Sequence, residues 1–431
     1  MKKIFLLIMV LITGLLSAIN LEQAQEMGLK KNFDYQNSDN DLKSATASKY
    51  QAYSAILPSV TASGNYNGDD FDFENTNYSL DLRQPIFQGG TILYGMKIAN
   101  TQEDTAENNL TSAKVNLLAD VESKYFSVLE AAALLDVSET SLERATIQLQ
   151  TADIKHKLGA ISSSDFMQFQ LEKSQSDVSY FSADKQYKTS LKDFNNYLNS
   201  EDQIPEEISV NSSIDEAEEL SKYSIPEIEA INEKLSDTVM GQNLTLKNSE
   251  NSVETAKSYL RLAQTSFLPT VDLTASQSWI DNATTDDFED SQSIGLSISV
   301  PIFPLVDQGL NYSSKKYDYL TSQNNLEDSK NSTQLQSETA WLELITSAKN
   351  LVSAQISLSY ATSIYNQSTT EFKLGELSST DYLNSSISLS NTESQYYSSI
   401  YDYLRDKSNL NKLLCEVDYS NLNSIIFKGA K

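Results

Sequence analysis

Lys157-Leu158-Gly159-Ala160-Ile161-Ser162-Ser163-Ser164-Asp165-Phe166 recurs 216 residues later as Lys373-Leu374-Gly375-Glu376-Leu377-Ser378-Ser379-Thr380-Asp381-Tyr382. Each copy has the chemistry of one helix ending and another beginning. The glycine permits the left-handed conformation that stops a helix, and the serines cap the next one. Pro85-Ile86-Phe87 recurs at the same offset as Pro301-Ile302-Phe303, and Leu57-Pro58-Ser59-Val60 recurs as Leu268-Pro269-Thr270-Val271 at an offset of 211. The chain is one unit written twice, with a change of length between the copies.

The segments leading into the two turns are helical in pattern. Val128, Leu135, Leu142 and Leu149 fall every seven residues, and their counterparts are Leu344, Leu351, Leu358 and Tyr365. A small residue follows each by three: Ala131, Ser138, Ala145 and Ala152, then Ser347, Ala354, Ala361 and Ser368. Large and small residues on this period predict a coiled-coil seam. A second seam follows each turn, with Tyr180, Tyr187 and Phe194 matching Tyr396, Tyr403 and Leu410. The long helices are predicted from about 91 to 157 and from about 306 to 373. At 1.5 Å per residue each reaches roughly 100 Å, a length suited to spanning a wide aqueous gap.

Prolines punctuate the rest. Pro58, Pro85, Pro269, Pro301 and Pro304 flank four segments of period two, and Pro205 and Pro226 bracket an acidic stretch. Ile294, Leu296, Ile298 and Val300 alternate with Gly295, Ser297 and Ser299; Tyr78, Leu80 and Leu82 alternate with Ser79, Asp81 and Arg83. One apolar and one polar face fit a barrel strand with lipid on one side and water on the other; they also fit a half-buried soluble hairpin. Strands are expected at about 59–67, 76–84, 270–280 and 292–300, with acidic external turns at 68–74 and 284–290.

Met1-Lys2-Lys3, an apolar run from Ile4 to Ile12, and Ser17-Ala18 have the layout of a secretory leader, with cleavage expected after Ala18. The run is short for a bilayer-spanning helix. The formal net charge of −27 disfavours contact with nucleic acid. Cys415 is the sole cysteine, which excludes an intrachain disulfide, and His156 the sole histidine. His156 reads as a packing residue beside the first turn. No phosphate loop, nucleophile elbow or Cys/His cluster is present, so no catalytic residue, metal site or cofactor is expected.

Across essentially the whole mature chain this organisation resembles the TolC-type outer-membrane efflux family. The resemblance rests on Leu57-Pro58-Ser59, Gln84-Pro85-Ile86-Phe87-Gln88-Gly89-Gly90, its weaker copy Val300-Pro301-Ile302-Phe303, and the paired KLG turns. It implies a mixed, mainly α fold: a long α-helical coiled-coil barrel, plus four strands per chain given to a trimeric twelve-stranded transmembrane β-barrel. It implies a homotrimer in outer-membrane lipid with a long periplasmic portion. The implied role is export of small molecules or proteins, including type I secretion, with a periplasmic adaptor and an inner-membrane pump of RND or ABC type. The domain plan is a signal peptide at 1–18, a first repeat at 19–205, and an acidic equatorial linker at 206–225. A second repeat at 226–415 and a C-terminal tail at 416–431 complete it. The tip turns fall at 157–165 and 373–381. Adaptor docking is carried over to Lys157, Leu158, Gly159, Ser162 and Ser163, and to Lys373, Leu374, Gly375, Ser378 and Ser379. The gate is carried over to Asp165, Phe372, Leu377, Asp381 and Asn384. Phe372 and Leu377 stand where the family's best-known member has a polar latch, and Asn384 stands where some members have a second aspartate, so the family's closure mechanism does not transfer. A secreted coiled-coil surface protein without a channel is the alternative; it would need neither the strand pairs nor the P-I-F segments.

Overall fold

The computed structural model describes residues 17–69, 72–282, 287–302 and 306–427. Most of the expected leader, the centres of both acidic turns, and Phe303 and Pro304 lie outside the described residues. In chain order the elements are β1 (Ser17–Ile19), α1 (Leu21–Lys31), α2 (Phe33–Ser54), β2 (Ser59–Asp69), β3 (Asp72–Gln88), α3 (Thr91–Lys157), α4 (Ser163–Tyr197), β4 (Gln203–Pro205), α5 (Asn211–Ser221), α6 (Ile225–Gln242), α7 (Leu244–Thr265), β5 (Thr270–Asn282), β6 (Asp287–Ser299), α8 (Val306–Leu374), α9 (Ser379–Leu413) and α10 (Ser420–Ile426). The duplication is carried in the element lengths. Helices α3 and α8 have 67 and 69 residues, and α4 and α9 have 35 each.

The described chain forms two compact units. The first takes the N-terminal segment through Gln36, Ser112–Asn243, and Thr333 onward; the second takes Asn37–Thr111 and Leu244–Ser332.

The first unit is helical. Val128, Leu344 and Leu351 are fully buried along the first seam, together with Ala131, Ala145, Ala152, Ala354 and Ala361. Leu135, Leu142, Leu149 and Leu358 are only half-buried. The largest core gathers Trp341, Leu344, Leu351, Tyr403 and Leu410 against α5, α6 and α10. Trp341 Nε1 donates to Ile228 O at 3.0 Å, so its burial leaves no polar atom unpaired.

The acidic stretch 206–225 contains helix α5, whose Ala217 and Leu220 are fully buried. Its high charge hides an apolar pair three residues apart on one face. The last residues behave similarly, since Leu422 and Ile426 of α10 enter the same core. At the other end β1 pairs in parallel with β4, Ser17 to Gln203 through Ile19 to Pro205. Cleavage after Ala18 would leave Ile19 alone of β1, still held by the Glu206 amide, which donates to Ile19 O at 2.9 Å. Buried Glu122 gathers the ends of the chain. It accepts hydrogen bonds from Gln25 Nε2 at 3.1 Å, Ser408 Oγ at 2.5 Å and Tyr419 Oη at 2.6 Å.

The second unit carries a four-stranded antiparallel sheet in the order β2-β3-β5-β6. The prolines mark its edges unevenly. Pro58 and Pro269 immediately precede β2 and β5 and Pro301 follows β6, but β3 continues through Pro85 to Gln88. The register against β5 shifts between Pro85 and Phe87. A bulge accepts a residue with no N–H to give. Asp272, 7% exposed, fixes this point by accepting from Arg83 Nη2 at 2.8 Å and Gln88 Nε2 at 2.7 Å. The R-Q-P-I-F-Q segment is therefore a clamped strand bend.

The pairing assigns each residue to a face. Val60, Leu82, Leu80, Tyr78, Ala275, Ile294, Leu296 and Ile298 share one, with Trp279 opposite Tyr78. Thr61, Ser63, Ser79, Asp81, Ser276, Ser278, Ser291 and Ser293 share the other. The apolar face is open: Val60 is 61% exposed and Ile294 83%.

Candidate functional site

Both KLG turns end their helix by the same device. At the first, the Ala160 amide donates to Lys155 O at 2.8 Å and Gly159 has φ +72. At the second, the Glu376 amide donates to Glu371 O at 2.9 Å and Gly375 has φ +79. A Cβ placed on either glycine meets nothing within 4 Å. The glycines are needed for their backbone conformation and not for close packing.

The next helix starts from a serine cap in each case. The Asp165 amide donates to Ser162 Oγ at 3.1 Å, and Ser162 N and Oγ donate back to Asp165 Oδ2 at 3.1 and 2.8 Å. The Asp381 amide donates to Ser378 Oγ at 3.1 Å, whose hydroxyl donates to Asp381 Oδ2 at 2.7 Å. Both aspartates also lie in the first turn, where negative charge is favoured. Each expected gate aspartate thus bonds to its own cap serine.

The two turns meet in a small aromatic core of Ala152, Phe169, Phe372, Tyr382 and Leu383, with Leu377 packed against it. Phe372 and Leu377 occupy the latch positions as packing residues. Phe372 stacks on Tyr382 at 4.5 Å and lies 5.9 Å from Phe169. Lys155 Nζ donates to Phe372 O at 2.7 Å and sits 3.7 Å from the Phe372 ring centroid. Thr380 Oγ1 donates to Gln168 Oε1 at 3.1 Å. Lys155, Phe169 and Gln168 did not stand out in the sequence. The one signal for Lys155 was that its counterpart is Glu371, a break in the repeat beside the best-matched motif.

The expected docking residues split into two groups. Leu158 and Leu374, at matched places, are 78% and 68% exposed. Lys157 is exposed and pairs with Asp153 at 2.6 Å, and Lys373 is exposed. Ser162, Ser163 and Ser378 are exposed, whereas Ser379 is buried. Asn384 is exposed and lines a polar groove between α8 and α9 with Asn350, Ser353, Ser357 and Asn391. Higher up, Arg144 ties α3 to α9 by donating to both oxygens of Glu393 at 3.2 and 2.7 Å.

Among the described residues no helix is long and apolar enough to cross a membrane, and no group of His, Cys, Asp or Glu is placed to hold a metal.

The chain is 22% identical to outer membrane protein TolC of Escherichia coli K12 over 454 residues, covering 96% of this chain and 87% of that protein. Its fold matches the CmeC outer membrane channel of Campylobacter jejuni with a TM-score of 0.77 at 17% identity, over 94% of this chain and 89% of the other. It also matches the outer membrane protein VceC of Vibrio cholerae with a TM-score of 0.75 at 12% identity, over 91% and 95%. The mainly helical, strand-bearing fold expected from the repeats is the fold of these channels. The family model for outer membrane efflux proteins matches residues 26–200 and 235–416, both halves of the duplication, and the chain belongs to that family.

Proposed function

We propose that three copies of this chain form an exit duct through the outer membrane, working with a periplasmic adaptor and an inner-membrane pump to export small molecules or proteins. The observation that carries this is the sheet. Its order leaves β2 and β6 as edges, one face is apolar and exposed, and the other is lined with hydroxyls. Four strands do not close on themselves, and an open edge in hydrocarbon leaves backbone groups unpaired at several kcal/mol each. Sharing edges between copies removes that cost. The test is the mass and location of the mature protein. A detergent-extracted particle of three chains from the outer-membrane fraction is expected; a monomer in the soluble periplasm would refute the proposal.

The tip turns are the proposed docking and gating end. Leu158 and Leu374 offer exposed apolar side chains on rigid helix ends, suited to an adaptor's apolar surface. Asp165 and Asp381, repeated in each copy, would place carboxylates around an aperture and favour cations. A second reading is supported by the cap geometry, in which both aspartates serve only to start their helices. Asp381→Asn in planar bilayers separates the two. Gating predicts weaker cation selectivity or weaker block by polyvalent cations; capping alone predicts unchanged conductance with a small loss of stability.

A further inference from the structure

Among the described residues, the polar face of the sheet carries three carboxylates, Asp81, Asp272 and Glu289, of which Asp81 is held by hydroxyls from neighbouring side chains without a basic partner. Asp81 Oδ1 accepts from Ser276 Oγ on β5 at 2.6 Å, and Oδ2 accepts from Ser79 Oγ at 2.6 Å. The Ser79 hydroxyl lies 2.7 Å from that of Ser63 on β2, so hydroxyls from three strands gather around the carboxylate from both sides. Ser278 and Ser291 continue the hydroxyl lining onto β6, 2.7 Å apart. No basic side chain bridges Asp81 among the described residues. Arg83, the neighbouring cation on the same face, is engaged by Asp272, which Gln88 also holds. Asp81 is exposed.

We propose that Asp81 is a selectivity-determining residue of the strand-built part of the pore, where it attracts small cations and cationic cargo and repels anions. This rests on the channel reading above: if the apolar face meets lipid, the Asp81 face lines the water path. A carboxylate whose oxygens are both held by donors stays at a fixed height on the wall, and each copy of the chain adds another at that height. A ring of fixed like charge in a confined pore selects by sign. The hydroxyls on the flanking strands supply the neutral polar wall against which that charge acts.

The experiment is the reversal potential of the purified full-length protein in planar bilayers under a potassium chloride gradient. The wild type, Asp81→Asn, and Asp81→Cys in a Cys415→Ser background are compared. Cation preference in the wild type, with a shift of reversal potential toward zero in Asp81→Asn, is expected. Asp81→Cys is expected to weaken the preference, to regain it after modification by an anionic thiol reagent, and to weaken it further with a cationic one. The cysteine variant also serves if the asparagine variant fails to assemble. Conducting variants whose reversal potential and reagent response match the wild type would overturn the role of Asp81 and leave the channel intact. A mature protein recovered as a soluble monomer would overturn the channel reading, and the role of Asp81 with it.

Discussion

His156 lies flat on Phe166, with ring centroids 5.1 Å apart and an interplanar angle of 4°; 216 residues on, Phe372 lies flat on Tyr382 at 4.5 Å and 11°. The duplication preserved a contact and not only a motif. In each turn an aromatic ring three residues before the glycine covers the aromatic at the start of the next helix. The copies differ in depth. Phe372 and Tyr382 are buried at 4% and 7% exposure, while His156 and Phe166 are half-buried.

Phe372→Ala is expected to be the more damaging of the two stack deletions. It removes a buried ring that touches Tyr382, Phe169 and Lys155, at about 3–5 kcal/mol. His156→Ala removes a half-exposed ring and is expected to cost clearly less. Hydrogen exchange at the tip amides measures both. Equal loosening by the two substitutions would contradict the difference in packing.

Lys155→Met keeps the aliphatic stem but removes the charge and its bond to Phe372 O. That bond links the ends of α3 and α8. Faster exchange around Gly375 is expected, with the rest of the first unit unchanged. If the tip conducts, more frequent or larger openings in planar bilayers are expected too. Unchanged exchange at Gly375 would show that the aromatic core alone holds the two turns.

Leu351→Asp and Leu135→Asp are equivalent by spacing but not by environment. Leu351 is 0% exposed, and an unpaired carboxylate there costs several kcal/mol. Leu135 is half-buried, so the new charge keeps some water. A large loss of thermal stability is expected for Leu351→Asp and a smaller one for Leu135→Asp. Native melting of the Leu351 variant would count against the seam.

The legible parts were those written by periodicity. Seven-residue spacing located α3 and α8, and alternation located the sheet, because exposure on one side leaves a regular mark in sequence. What escaped depended on one or two residues acting against their neighbourhood. Helix α5 is polar and acidic except for Ile214, Ala217 and Leu220, which face the core. Pro85 stays inside β3 because Arg83 and Gln88 reach Asp272, a residue 184 positions from Gln88. At the tips, the motif marked Asp165, Asp381 and the capping serines, and the geometry singled out Ser162 and Ser378 as the caps, each bonded to its aspartate. Lys155 left only its mismatch with Glu371 as a mark, because its partner is a backbone carbonyl, which no side-chain pattern encodes.

Asp406 gives the final prediction, a pH dependence of stability. Burial raises its carboxyl above the ordinary value near 3.8, opposed by a hydrogen bond from Ser347; Glu343 and Asp402 raise it further and Arg405 lowers it. A raised carboxyl favours the protonated form in the folded state. The folded chain then binds more protons than the unfolded chain between the ordinary value and the raised one, so stability falls as pH rises through that window. The penalty is fully present at neutral pH and is relieved as pH falls through the same window. Asp406→Asn removes the charge while keeping a polar group for Ser347, and is expected to melt higher than the wild type at pH 7. That gain is expected to shrink as the pH approaches 4. Differential scanning calorimetry at several pH values measures it, with the two proteins compared at each pH so that the other carboxylates cancel. A variant less stable than the wild type at pH 7 would mean that the bonds to Asp406 outweigh its burial among like charges.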